Sequence, residues 1–140
     1  MGTSTNGILA YGYDLGDPQD DFDPDDFPWY DEDEGFDESA EKALLAAHGF
    51  TETDWRADGY FERKSAAEKT IGVELVAHCS GDYPMYLLAA ARQTARRGYV
   101  EVVDRTVPDN ADERLRWALG VLGITPKAEK PQWLLVSYWG

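Results

Sequence analysis

The stretch DYPMYLLAAARQTARRG, from Asp82 to Gly98, decides which fold the sequence predicts. Asp82 is suited to an N-cap and Pro84 to a first helical turn, and from Met85 onwards the apolar residues recur with the 3.6-residue period of a helix. Arginines cluster near the C-terminal end of this stretch, where positive charge interacts favourably with the helix dipole, and a glycine follows them. The pattern therefore predicts a helix over residues 84–97.

The elements on either side of this helix alternate. Short apolar or β-branched runs predict four strands, at Gly7–Leu15, Val73–His78, Tyr99–Asp104 and 131–139, the last of them buried. Helical spacing predicts one helix from near Glu38 to the HGF run at 48–50, a short one over Glu62–Thr70, and one that Asn110 and Glu113 would open as a capping box. We expect a single α/β domain over residues 1–140, or alternatively α+β, with about four strands in a mixed or partly parallel sheet and three to four helices.

Negative charge is concentrated near the start of the chain. The net charge is −14, from 27 acidic residues against 13 lysines and arginines. Fourteen of the acids lie between Asp14 and Glu41, and the first cation is Lys42. The rest of the chain is therefore electrically balanced, and the whole excess belongs to the first 41 residues.

Residues 16–37, called the acidic segment below, are predicted to form a long loop after the first strand. Pro18, Pro24 and Pro28 disfavour a regular helix. Asp21, Asp23, Asp25 and Glu32 partly match a calcium-binding loop, but Asp26 stands where the sharp turn needs glycine and Pro28 where an apolar residue belongs. We therefore expect no calcium site.

Two interpretations of the acidic segment remain open. It is either a solvated linker that keeps the protein soluble, or a surface on which aromatic rings anchor a partner and carboxylates attract its basic groups. The binding interpretation predicts these contact residues: Asp20, Asp21, Phe22, Asp23, Asp25, Asp26, Phe27, Trp29, Tyr30 and Asp31. The segment could also fold back on a group of arginines that lie within 25 residues of one another: Arg92, Arg96, Arg97, Arg105, Arg114 and Arg116.

Catalytic signals are weak. His78, Cys79 and Asp82 cluster at the predicted junction between a strand and a helix, where an enzyme or ligand-binding domain could place a thiol. Consecutive residues of a strand point to opposite faces, so His78 is not expected to activate Cys79. No phosphate loop, paired metal-ligand motif or nucleophile elbow occurs, and we expect neither a cofactor nor a resident metal.

The runs STNGILAYGYDLG, HCSGDYPMYLLA and RRGYVEVVD resemble blocks in a family of small actinobacterial and actinobacteriophage proteins that has no assigned activity. The resemblance implies a phage or prophage lineage and transfers no functional residue. A single cysteine and the absence of an apolar leader lead us to expect a cytoplasmic protein, in the host cytoplasm if a phage encodes it.

These observations together predict a non-enzymatic acidic protein that occupies or inhibits a host protein with a basic surface. Carboxylates spaced like phosphates would make it a nucleic-acid mimic. We expect no nucleic acid as a direct partner, since the sequence pI is about 4.3, and no membrane, since the sequence has no 18-residue apolar run. The alternatives are a small enzyme or ligand-binding domain that uses the turn Cys79–Asp82, and a structural or assembly protein.

Overall fold

The computed structural model describes residues 5–18 and 20–139. Its strands are β1 (Thr5–Gly16), β2 (Glu74–Ser80), β3 (Pro84–Arg96) and β4 (Gln132–Trp139). Its helices are α1 (Phe36–Ala47), α2 (Tyr60–Ile71) and α3 (Ala111–Leu122), and a short 3-10 turn covers Pro24–Asp26. Each α-helix has 12 residues, and none in the described part of the chain is long and apolar enough to cross a membrane.

The four strands form one mixed sheet that closes on itself in the order β1-β3-β2-β4. β1 lies antiparallel to both β3 and β4, and β2 lies antiparallel to β3. The ring closes where β2 and β4 run parallel, through the pairs Cys79–Tyr138 and Ser80–Trp139. A four-stranded mixed sheet with three helices confirms the predicted fold class.

The helix predicted over residues 84–97 is wrong, because this stretch is β3. Four consecutive side chains, Tyr86 to Ala89, are buried, which requires protein on both faces. Tyr86 and Leu88 pack in the main core, while Leu87 and Ala89 pack inside the closed sheet. The backbone of β3 pairs with β1 on one side and β2 on the other, and those partners decide its conformation against a helical pattern.

Three further details of the sequence prediction are wrong. The expected strand at Tyr99–Asp104 is neither a strand nor a helix. The helix α3 is present, but Asn110 adopts a left-handed φ of 61° and its side chain makes no capping hydrogen bond. β4 is not buried throughout, because Leu135 and Trp139 on its outer face are exposed.

Two separate apolar clusters stabilise the fold. The smaller one fills the inside of the closed sheet with five buried residues: Ile8, Ala10, Val76, Leu87 and Ala89. The larger one lies between the sheet's outer face and the helices, where Leu44 of α1 and Leu115 of α3 are almost fully buried. Gly12 marks a close approach of β1 to β3, since a Cβ there would lie 1.8 Å from the carbonyl oxygen of Leu88.

Candidate binding surface

The aromatic rings of the acidic segment pack together against the core. The Phe36 ring is 4% exposed and lies 4.8 Å from Tyr86, 5.1 Å from Phe22 and 5.4 Å from Trp29 between ring centroids. Phe27 stacks on Trp29 with centroids 5.0 Å apart. These contacts hold the segment on the outer face of the sheet, so its rings serve as internal anchors.

Hydrogen bonds fix the same segment at two further points. The indole Nε1 of Trp29 donates to the carbonyl oxygen of Leu122 over 2.9 Å, which satisfies a backbone acceptor in the last turn of α3. The backbone N–H of Asp31 donates to the Ser39 hydroxyl over 3.1 Å, and that hydroxyl lies 2.6 Å from the Gly35 carbonyl oxygen. The segment is therefore tied to both α3 and α1.

The carboxylates of the segment point outward while the rings point inward. The six predicted acidic contact residues are all exposed: Asp20, Asp21, Asp23, Asp25, Asp26 and Asp31. The four predicted aromatic contacts are partly buried against the core: Phe22, Phe27, Trp29 and Tyr30. The structure thus separates the two kinds of residue that the sequence interleaves.

Some of these carboxylates have structural partners. Asp21 binds Lys127 with an Nζ–Oδ1 distance of 2.7 Å, and this hydrogen bond lowers the pKa of Asp21 below its usual range. Asp23 accepts from the backbone N–H of Asp25, which caps the 3-10 turn. Within the described residues, by contrast, no hydrogen bond or ion pair reaches the side-chain oxygens of Asp20, Asp25, Asp26 or Glu32.

Two of the arginines that could have received the segment, Arg92 and Arg96, contact other groups. Arg92 Nε lies 2.8 Å from Oε1 of Glu74, and the Arg96 guanidinium lies 4.9 Å from the centre of the Tyr99 ring. The cations paired with the acidic segment are lysines, Lys42 with Glu34 and Lys127 with Asp21. The negative charge of the segment is therefore turned towards solvent.

A cleft of about 1060 Å³ adjoins this surface, between α1, α2 and the strands β2 and β3. Its apolar lining includes Leu44, Leu45, Phe50, Ile71 and Ala89, and its charged lining comprises Glu34, Glu38, Glu41, Lys42, Glu52, Lys64, Glu68, Lys69, Glu74 and Arg92. Acids outnumber bases in this lining. Sequence analysis missed the cleft, because each helix pattern gives one buried face and says nothing of the gap between two helices.

Carboxylates crowd one wall of the cleft. The Glu41 side chain keeps contact with solvent, yet its carboxyl group is desolvated and lies near Asp37, Glu74 and Glu68. Desolvation first, and repulsion from these three carboxylates second, raises the pKa of Glu41 to about 7. Oε1 of Glu74 is buried without an accepted hydrogen bond, since the nearby Arg92 Nε–H is not aligned with it. The negative charge of the carboxylates on this wall is therefore not fully neutralised by nearby cations.

Of the candidate catalytic residues, His78 and Cys79 lie near the end of β2 and Asp82 lies in the hairpin turn that joins β2 to β3, so the predicted strand-to-helix junction is absent. His78 is buried, its Nε2 has no hydrogen-bond partner among the residues that the structure describes, and desolvation lowers its pKa. Cys79, by contrast, is exposed and has a left-handed φ of 74°. Asp82 caps no helix, and the described residues contain no cluster of three metal-ligating side chains.

Comparison with known proteins gives no further assignment. No protein-family model, curated protein or solved structure matches the chain.

Proposed function

We propose that this protein is a non-enzymatic binding protein that recognises a basic surface on another protein through its acidic segment. The observation that carries the proposal is the outward display of unneutralised carboxylates, among them Asp20, Asp25, Asp26 and Glu32, on a loop that buried rings hold in place. A solubilising linker needs charge but no anchoring, whereas a recognition surface gains from both.

Anchoring matters because binding a partner costs conformational entropy. A flexible acidic loop would lose that entropy on association, but the Phe36 cluster and the Trp29–Leu122 hydrogen bond order this loop before a partner arrives. Carboxylates in fixed positions also create a directional field that attracts basic groups and speeds association. The arrangement favours fast, salt-sensitive binding.

The negative surface continues from the loop into the cleft. Glu34 belongs to the acidic segment and Glu38 and Glu41 to α1, and all three line the cleft. A lysine or arginine side chain of the partner could lie against this wall, where it would offset the repulsion that raises the pKa of Glu41. The cleft would then supply specificity beyond charge alone.

The proposed partner is a host protein whose basic surface normally contacts nucleic acid. Its host origin rests on the resemblance of the opening sequence to actinobacteriophage proteins, and its chemistry rests on the acidic charge of the segment. A protein surface built to bind phosphates would also attract closely spaced carboxylates. Nucleic acid and this protein would then compete for the same surface.

The test compares two variants with the same change in net charge. One is D20N/D25N/D26N/E32Q, which alters acids without structural partners in the segment; the other is D58N/E62Q/D109N/E129Q, which alters exposed acids elsewhere. A partner captured from actinobacterial lysate would be identified, purified and titrated at low and high salt. We expect the first variant to bind at least about tenfold more weakly and the second to stay within about threefold of the parent.

Equal losses in the two variants would mean that only net charge matters, and unchanged binding by the first would overturn the proposal. Competition by duplex DNA distinguishes a partner that uses its nucleic-acid site from one that uses another basic surface.

A further inference from the structure

The chain turns back on itself after β3. A β-turn over Arg96–Tyr99 is closed by the Tyr99 N–H donating to the Arg96 carbonyl oxygen over 3.0 Å, with Gly98 at a φ of 83°. The chain then returns beside β3, where the N–H of Asp104 donates to Oε1 of Gln93 over 3.0 Å and Nε2 of Gln93 donates to the Asp104 carbonyl oxygen. We call residues 97–110 the return segment.

The return segment exposes its apolar side chains. Val100 is 96% exposed and Val102 is 93% exposed, and Tyr99, Val103 and Val107 are exposed as well. β-Branched and aromatic residues in succession are typical of a strand, yet no strand forms here. The sequence has the composition of a strand, and residues 5–18 and 20–139 offer it no strand to pair with.

Backbone groups in the return segment are also without partners. Among the described residues, no hydrogen bond involves the backbone N–H or C=O of Val100, Glu101, Val102, Val103 or Arg105. In an extended chain the backbone N–H and C=O groups of successive residues point alternately to one side of the chain and the other. Because the backbone groups of Asp104 point towards Gln93 of β3, those of Glu101, Val103 and Arg105 point away from β3. An open edge of this kind is a template for a further strand.

We propose that the return segment is a dimerisation strand, which pairs antiparallel with the same segment of a second copy around a two-fold axis at Val103. This register places Glu101 of each copy opposite Arg105 of the other, and Tyr99 opposite Val107. An axis at Glu101 would instead oppose Glu101 to itself and Arg97 to Arg105, which like-charge repulsion disfavours. Charge complementarity thus selects both the second copy and the register.

The charge of the surrounding surface favours the same occupant. A protein with a net charge of −14 repels its own copies over most of its surface. The region from Arg92 to Arg105 contains four arginines against two acids, so the negative excess of each copy lies outside this region. A dimer formed through this edge would leave the acidic segment of each copy outside the interface.

Light scattering after size exclusion, over a range of protein concentrations, tests the proposal. We expect the parent protein to reach twice the monomer mass, and a protein that stays monomeric at millimolar concentration would overturn the proposal. E101R and R105E should each weaken dimerisation by about tenfold or more, because each sets like charges opposite each other twice. The double variant E101R/R105E should restore it to within about threefold of the parent, and failure to do so would overturn the register.

Val103→Pro and Val102→Pro form a second, matched pair. Proline at position 103 removes an outward N–H and should abolish the dimer, while proline at 102 removes an inward one and should leave a dimer, with circular dichroism confirming the fold of both. A dimer lost in D20N/D25N/D26N/E32Q but kept in E101R would mean that acidic segments bind the arginines, and would overturn this proposal. Binding of the host partner is measured separately, so either proposal can fail alone.

Discussion

The acidic segment and the return segment are two long irregular stretches of the same chain, and each does the opposite of what its composition indicates. The acidic segment is rich in charge, yet it buries a cluster of rings centred on Phe36. The return segment is rich in valine, yet Val100 and Val102 are almost fully exposed. Composition therefore gives the residues available for packing, but their use depends on what the fold brings next to them.

The difference arises from the partners that each segment meets. The acidic segment crosses the outer face of the sheet, where Tyr86 and the end of α3 offer apolar area and a free carbonyl group. The return segment leaves the end of β3, and β2 pairs only with the part of β3 from Pro84 to Ala89. Mutations can measure this contrast directly.

Phe36→Ala is expected to have the largest effect. It removes a ring that contacts four others, and the free energy of unfolding should fall by about 3–5 kcal/mol in urea titrations. Phe61→Ala is the matched control, since Phe61 is 63% exposed, and it should cost less than about 1 kcal/mol. Equal losses would mean that the acidic segment is not anchored by its rings.

Trp29→Phe should have the next largest effect. Phenylalanine keeps an aromatic ring but cannot donate to the Leu122 carbonyl oxygen, so we expect a loss of about 1–2 kcal/mol and faster proteolysis within the acidic segment. Trp55→Phe, at an exposed tryptophan, controls for the change in ring size. A stable, protease-resistant Trp29→Phe variant would show that stacking alone holds the loop.

The stability of the protein should depend on pH through Glu41. Its pKa is about 7 in the folded protein against an ordinary value of 4.5, so the folded state binds more protons between these values. Stability should therefore fall as the pH rises from about 4.5 to 7, by on the order of 1 kcal/mol after allowance for solvent screening.

Glu41→Gln should flatten this part of the profile, because glutamine mimics the protonated acid and can still accept the hydrogen bond from the backbone of Leu75. Chemical unfolding at a series of pH values measures the slope, with Glu129→Gln as an exposed control. If the free energy of unfolding of Glu41→Gln still fell with pH at the same slope, Glu41 in the cleft wall would not be the cause of the pH dependence.

The smallest effect is expected in the return segment. Val100→Thr and Val102→Thr should each change the free energy of unfolding by no more than about 0.5 kcal/mol, when measured at protein concentrations where the chain is monomeric. A decrease in the free energy of unfolding of more than about 1 kcal/mol would mean that these valines are buried in the monomer. The return segment would then not differ from the acidic segment in its packing.

Local signals were sufficient for several elements. An apolar run that starts at Gly7 predicted β1, and the spacing of Ala40 and Leu44 before the glycine at 49 predicted α1. The concentration of charge before Lys42 marked the acidic segment, in which Asp20 and its neighbouring acids are exposed. In each of these cases the pattern depends on residues close together in sequence.

Elements that depend on distant residues were not predictable in the same way. The alanines that follow Leu88 are strong helix formers, and only the pairing of β3 with β1 and β2 reveals a strand. The strand predicted at Tyr99–Asp104 is absent, because a high strand propensity is not sufficient without a neighbouring strand to pair with. The cleft wall combines Glu41 with Glu68 and Glu74, which lie about 30 residues away in sequence, so no local motif marks it.

The narrow interior of the closed sheet has a consequence for the whole protein. Its space is taken by the side chains of Ile8, Ala10, Val76, Leu87 and Ala89, and β1 approaches β3 so closely that Gly12 has no room for a methyl group. Sheets that hold a ligand inside need more strands than this one has. New recognition could therefore arise only on the outside of the sheet, at exposed positions such as those of the acidic carboxylates, while the residues that fill the interior are constrained.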